Sequence, residues 1–131
     1  MKYYITCIKK YADLKGRARR AEYWYFYLFN FLIYMALYVL ILVTGGTESY
    51  YSGTTGFGTG VFSILLYLYG LFVFLPGLAV GVRRLHDTSR SGWYLLVSLI
   101  PLAGAIWLLV MLVQDSTPGP NQYGPNPKEA A

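Results

Sequence analysis

Charge is scarce in this chain. Only 13 % of its 131 residues are charged, where a soluble domain carries about a quarter because its surface must face water. With 56 % hydrophobic residues, the chain has too few polar groups to cover a globule of its own size. Six acids stand against eleven Lys and Arg, a formal net charge of +5. Histidine and cysteine occur once each, as His86 and Cys7. One cysteine excludes a disulfide within a monomer, and one of each leaves too few ligands for a zinc-type centre. The residues call for no cofactor and no metal.

What the chain has instead is long uncharged runs. Tyr23 to Thr44 spans 22 residues, with Asn30 its most polar member; Val61 to Val82 spans 22 more, interrupted by Gly70 and Pro76-Gly77; Trp93 to Val113 spans 21, with Pro101 and Gly104 inside. At a rise of about 1.5 Å per residue each reaches roughly 30 Å, the thickness of a hydrocarbon core. Proline and glycine would argue against such helices in water, but packed membrane spans tolerate them as kinks. Asn30 needs a hydrogen-bond partner in such a setting, with Ser98 or a carbonyl freed by Pro76 as the expected ones. A cleavable signal peptide fits the first run poorly. Its leader is 22 residues long, and the stretch "VTGGTESYY" is a weak cleavage context.

The cations are distributed unevenly. Residues 1–22 hold seven Lys and Arg, 45–60 none, 83–92 three and the tail 114–131 one. Lys- and Arg-rich short loops stay cytoplasmic. The expected topology is therefore an N-terminus inside, an external linker at 45–60, a cytoplasmic turn at 83–92 and a turn-rich tail outside. A re-entrant last segment, bent at Pro101-Gly104, would instead return the tail to the cytoplasm. Trp24 and Trp93 begin runs on the basic face, where amphipathic rings favour the headgroup region.

The turn "RRLHDTSRSG" concentrates charge between two uncharged runs. Anchoring accounts for its arginines but not for His86 and Asp87. A carboxylate near lipid is stable only when paired, and arginine offers a forked partner. Glu22 and Asp87 are each expected to pair with an arginine of the other stretch, drawn from Arg17, Arg19, Arg20, Arg83, Arg84 and Arg90. The remaining positive charge suits anionic phospholipid headgroups. Upstream, Tyr4, Ile8, Tyr11 and Ala12 fall at helical spacing with Lys9 and Lys10 to one side. That pattern fits a short amphipathic helix lying in the interface, with Gly16 turning the chain into the first span. Gly77 and Gly81 make a Gly-x-x-x-Gly spacing that lets helix backbones approach, within the chain or between copies in a homo-oligomer.

Other chemistries carry less. Acid–base work by His86 and Asp87 lacks a nucleophile, and adjacent residues diverge on a helix. "KGRARR" precedes a span, where basic residues position membranes rather than read nucleic acid. "GTTGFGTG" lacks the Lys-Ser/Thr of a phosphate loop and reads as a connector. "TPGPNQYGPNP" reads as a chain of turns.

Four stretches resemble a known family: "KGRARRAEYWYFYLFN", "LPGLAVGVRRLHDTSRSGW", "IPLAGAIWLLVML" and "GPNQYGPNP". They match the signatures of the domain of unknown function 805 family, at Gly16-Arg17 with Arg20, at Arg83 to Asp87 with Ser91 to Trp93, and at Tyr123 to Pro127. Only Thr44 to Gly60 carries no recognisable motif. The resemblance implies a small bacterial inner-membrane protein and leaves the activity unassigned.

Together these readings give an all-α integral membrane protein. One membrane domain, 1–127, holds three transmembrane helices at about 23–44, 61–82 and 93–113, preceded by a short interfacial amphipathic helix within 1–22. An accessory protein that binds anionic lipid or a membrane protein partner through its cytoplasmic arginine cluster ranks first. A transporter or channel component, formed by oligomerisation, ranks second, because no charge lies within a span. An enzyme acting on a phosphate-bearing lipid ranks third, for want of a nucleophile.

Overall fold

The computed structural model describes residues 2–46 and 51–128, so Glu48 of the linker and the last three tail residues lie outside the described residues. The regular elements are helical: α1 (Lys2–Lys9), α2 (Arg20–Ile41) ending in a kinked turn (Leu42–Gly46) where Gly45 takes φ 98°, α3 (Phe57–Asp87), a 3-10 helix (Gly92–Leu99) and α4 (Ala103–Val113). Among the described residues, two helical stretches, Arg20–Gly45 and Phe57–Asp87, are long and apolar enough to cross a membrane. In the apolar window of each, only 11 % of the residues are buried.

The second expected span is longer than its uncharged run. α3 begins at Phe57 and continues to Asp87, so Arg83 to Asp87 occupy helix rather than a turn. Its 31 residues reach about 46 Å, past a hydrocarbon core of roughly 30 Å. Cations in the last helical turn complement the macrodipole, which lets the helix run on through them. Termination is local: Ser89 takes a left-handed φ of 61°, the Ser89 N–H donates to the His86 carbonyl (3.0 Å), and the Arg90 N–H donates to Leu85 (2.9 Å). Those two bonds close a Schellman cap.

The third expected span is not a single helix. Trp93 to Val113 divides into the 3-10 helix and the 11-residue α4, about 16 Å each. Ile100 is extended (φ −77°, ψ 119°), as the residue before proline must be, and Leu102 breaks the chain at φ 58°. The two short helices pack on one another. Gly104 sits directly on the Val97 carbonyl, where no side chain would fit. The tail folds back along the end of α3. Thr117 donates its N–H to the Asp87 carbonyl at 2.8 Å, so tail and basic segments lie together.

Contacts divide the chain into two units, one with the chain up to Phe26 and from Leu75 onward, the other Tyr27–Phe74. Within the second, Asn30 Oδ1 accepts from the Tyr69 hydroxyl. Tyr34 meets Tyr69 edge-on at 5.3 Å. Within the first, α1 docks on the start of α2 through Tyr3–Tyr25 and Tyr4–Phe26 stacks at 5.7 and 5.6 Å. The buried residue of α1 is Cys7. Tyr11 and Ala12 lie beyond the end of α1 and are exposed.

Candidate functional site

Gly16, at φ +84°, turns the chain so that residues 16–18 run beside the last turns of α3. The Ala18 N–H donates to the Arg83 carbonyl at 3.0 Å, and His86 Nδ1 lies 3.0 Å from the Gly16 carbonyl. A carbonyl only accepts, so Nδ1 carries the proton in that bond. His86 also stacks face to face on Tyr123 at 3.8 Å. His86 and Asp87 thus diverge, one toward Gly16 and Tyr123, the other into a cluster of arginines.

Asp87 is fully buried and holds that cluster together. Arg17 Nε lies 3.0 Å from its Oδ1, and Arg84 Nη1 and the Ser116 hydroxyl both donate to its Oδ2. Arg17 also gathers carbonyls, donating to Thr117 (2.7 Å), Gly119 (2.8 Å), Asp87 (3.2 Å) and Gly124 (3.3 Å). Arg84 donates to the carbonyls of Leu112 (3.0 Å), Ala18 (3.2 Å) and Gln114. Leu112 and Gln114 stand at the end of α4, whose last carbonyls have no helical partner. Arg84 therefore caps α4 with a cation at the favourable end of its dipole.

Glu22 and Arg83 form a second buried pair, Oε1 to Nη1 at 2.5 Å. Nε and Nη2 of Arg83 are buried with no hydrogen-bond partner. Cys7 lies beside this pair, its thiol donating toward Glu22 Oε1 at 3.7 Å. Burial, reinforced by the Glu22 carboxylate, pushes the thiol from its ordinary 9.0 to about 12. It is thus protonated at neutral pH, a poor nucleophile. Among the described residues no three His, Cys, Asp or Glu gather as a metal site.

The structure gathers Arg17 and Arg84 on Asp87 and pairs Glu22 with Arg83, sets His86 apart against Gly16 and Tyr123, and leaves the other arginines at the rim. Arg19 lies over the Tyr3 ring at 5.9 Å. Arg20 is exposed, 3.6 Å from Asp115, and Arg90 donates to Gln114 Oε1 at 2.6 Å. Lys128 also pairs with Asp115, whose carboxyl is held below its usual range chiefly by that bond. Gly81 is buried, and a Cβ there would meet Leu95 at 3.5 Å, so this half of the glycine pair serves a contact within the chain.

Sequence reasoning did not single out Ser116, Thr117, Asn121 or Tyr123 as partners. Their signal was an imbalance: three buried guanidiniums against two carboxylates need carbonyls from elsewhere, and a tail of turns offers them.

A family model described as "Protein of unknown function (DUF805)" matches residues 11–125. Inner membrane protein YhaH of Escherichia coli (strain K12) is 41 % identical over 128 residues, covering 98 % of both chains. Inner membrane protein YhaI of the same strain is 40 % identical over 128 residues, covering 98 % of this chain and 97 % of its own. No solved structure matches. With a matching family model over most of its length and relatives this similar from end to end, the chain belongs to the DUF805 family.

Proposed function

We propose that this chain is a small bacterial inner-membrane protein with an accessory or interaction role, held against anionic headgroups by its exposed cations. The arginine cluster then divides in two. Burial of Arg17, Arg83 and Arg84, with their bonds to carboxylates and carbonyls, supports a structural clamp whose guanidiniums are turned away from lipid. Lys2, Lys9, Lys10 and Lys15 are exposed and are the cations for the membrane surface, each contributing about 1 kcal/mol there. The inner-membrane location of the relatives and the two long apolar helices support the setting.

Thermal unfolding of the purified protein in detergent tests the lipid reading. Phosphatidylglycerol is expected to raise Tm more than phosphatidylcholine of the same chains, since a ligand of the folded state stabilises it. Lys2→Gln with Lys9→Gln and Lys10→Gln should remove much of that difference. Equal shifts from both lipids would overturn it.

In the same reading α2 and α3 cross the membrane, α1 lies in the interface, and the 3-10 helix with α4 forms a re-entrant hairpin. The bonds from Arg17 to the Thr117 and Gly119 carbonyls favour a tail on the basic, cytoplasmic side. In a Cys7→Ser background, Ser52→Cys should label in intact cells with an impermeant thiol reagent. Gln122→Cys should label only after permeabilisation; labelling in intact cells would return the third span.

A further inference from the structure

An open cavity of about 440 Å³ lies beside the clamp without taking part in it. Its walls are Leu78, Val82 and His86 of α3, Leu95 and Leu96 of the 3-10 helix, and Leu14. Its volume falls within the roughly 300–1,000 Å³ of small-ligand sites. Close backbone approach shapes it: a Cβ on Gly92 would stand 2.8 Å from Val82 Cγ1. The mouth is apolar and exposed, with Trp93 at 78 %, Leu96 at 55 % and Leu14 at 50 %. An apolar mouth of this kind admits a ligand from lipid more readily than from water.

Charge stands beside this apolar wall. Lys15 follows Leu14 and Arg90 precedes Ser91, another lining residue, so each cation's Cα is about 3.8 Å from that of a lining residue. Lys15 is exposed, and Arg90 spends one nitrogen on the Gln114 side chain. The acid nearby, Asp13, accepts the Lys15 backbone N–H at 3.0 Å. Two cations against one carboxylate leave the rim positive. His86 is the ionisable group of the lining, its ring fixed by Gly16 and Tyr123.

We propose that this cavity holds one anionic phospholipid. An acyl chain lies between Leu78, Val82, Leu95 and Leu96, and the phosphate meets Lys15 and Arg90. The apolar wall with a cationic edge is the complement of such a lipid and of few soluble ligands. The inference rests on the membrane reading above and shares Lys15 with it, but not Lys2, Lys9 or Lys10, since the contact is with a single retained molecule rather than a diffuse surface.

Native mass spectrometry of the full chain, released from detergent with added phosphatidylglycerol or phosphatidylcholine of matched chains, separates the two ideas. The wild type should retain one phosphatidylglycerol per chain in preference to phosphatidylcholine. Leu78→Trp, which fills the cavity from a position already 40 % exposed, should lose retention of both lipids. Lys15→Gln with Arg90→Gln should keep an acyl-filled cavity but lower the anionic preference about fivefold for each cation removed. Lys9→Gln with Lys10→Gln should leave retention unchanged, even where it lessens the difference in Tm between the two lipids. Undiminished retention by a folded Leu78→Trp protein would overturn the proposal. So would equal retention of the two lipids by the wild type, or a dimer that Leu78→Trp dissociates, which would assign the cavity to a second copy.

Discussion

Asp87→Ala should sharply lower folded yield and thermal stability in detergent. Its carboxylate is fully buried and is the counter-charge of both Arg17 and Arg84. Without it two guanidiniums face one another at low dielectric. Their carbonyl partners at Thr117, Gly119 and Leu112 remain but carry only partial charge. Breaking a buried pair by removing one partner costs about 3–5 kcal/mol, a large share of the roughly 5–15 kcal/mol that holds a typical protein folded. Asp87→Asn should lie between, keeping an acceptor and losing the charge. Lys10→Ala, at an exposed position, should change stability by no more than about 0.5 kcal/mol. Thermal melts of the four proteins decide it, and equal melting of Asp87→Ala and Lys10→Ala would dismiss the clamp.

Glu22→Ala should destabilise on a similar scale, for a different reason and with a remedy. Arg83 bonds Glu22 through Nη1 and has no partner at Nε or Nη2. Removing the carboxylate leaves a buried guanidinium wholly unanswered, again about 3–5 kcal/mol. Arg83→Met in the same chain should restore stability to the wild-type level or above it. Apolar replacement of a buried ion pair is often neutral or stabilising, by up to about 4 kcal/mol. The Arg83 backbone carbonyl, which accepts from Ala18, is untouched by either change. A double-mutant cycle on melting temperature measures the coupling. A double variant as unstable as the sum of its singles would show that Arg83 stabilises the fold through something other than Glu22.

These expectations separate two kinds of information. Composition by itself determined the class, because a 56 % hydrophobic chain with 13 % charge must find a non-aqueous surround for its side chains. Spacing alone marked Glu22 and Asp87 as acids in need of arginines, since an unpaired carboxylate is costly near lipid. The family motifs were legible as well, being local in sequence.

Tertiary structure decided which arginine meets which acid, because Arg17 and Asp87 lie 70 residues apart and several cations would have served by charge alone. It also decided where the helices stop. Hydropathy carries no signal for the left-handed turn at Ser89 or for the break at Leu102, so α3 outran its apolar run and the last run divided into two short helices. The tail's part followed from that division. Its carbonyls reach Arg17 and Arg84 only because the chain folds back at Pro101, and a hydrogen bond between residues 100 apart exists only once the fold has formed.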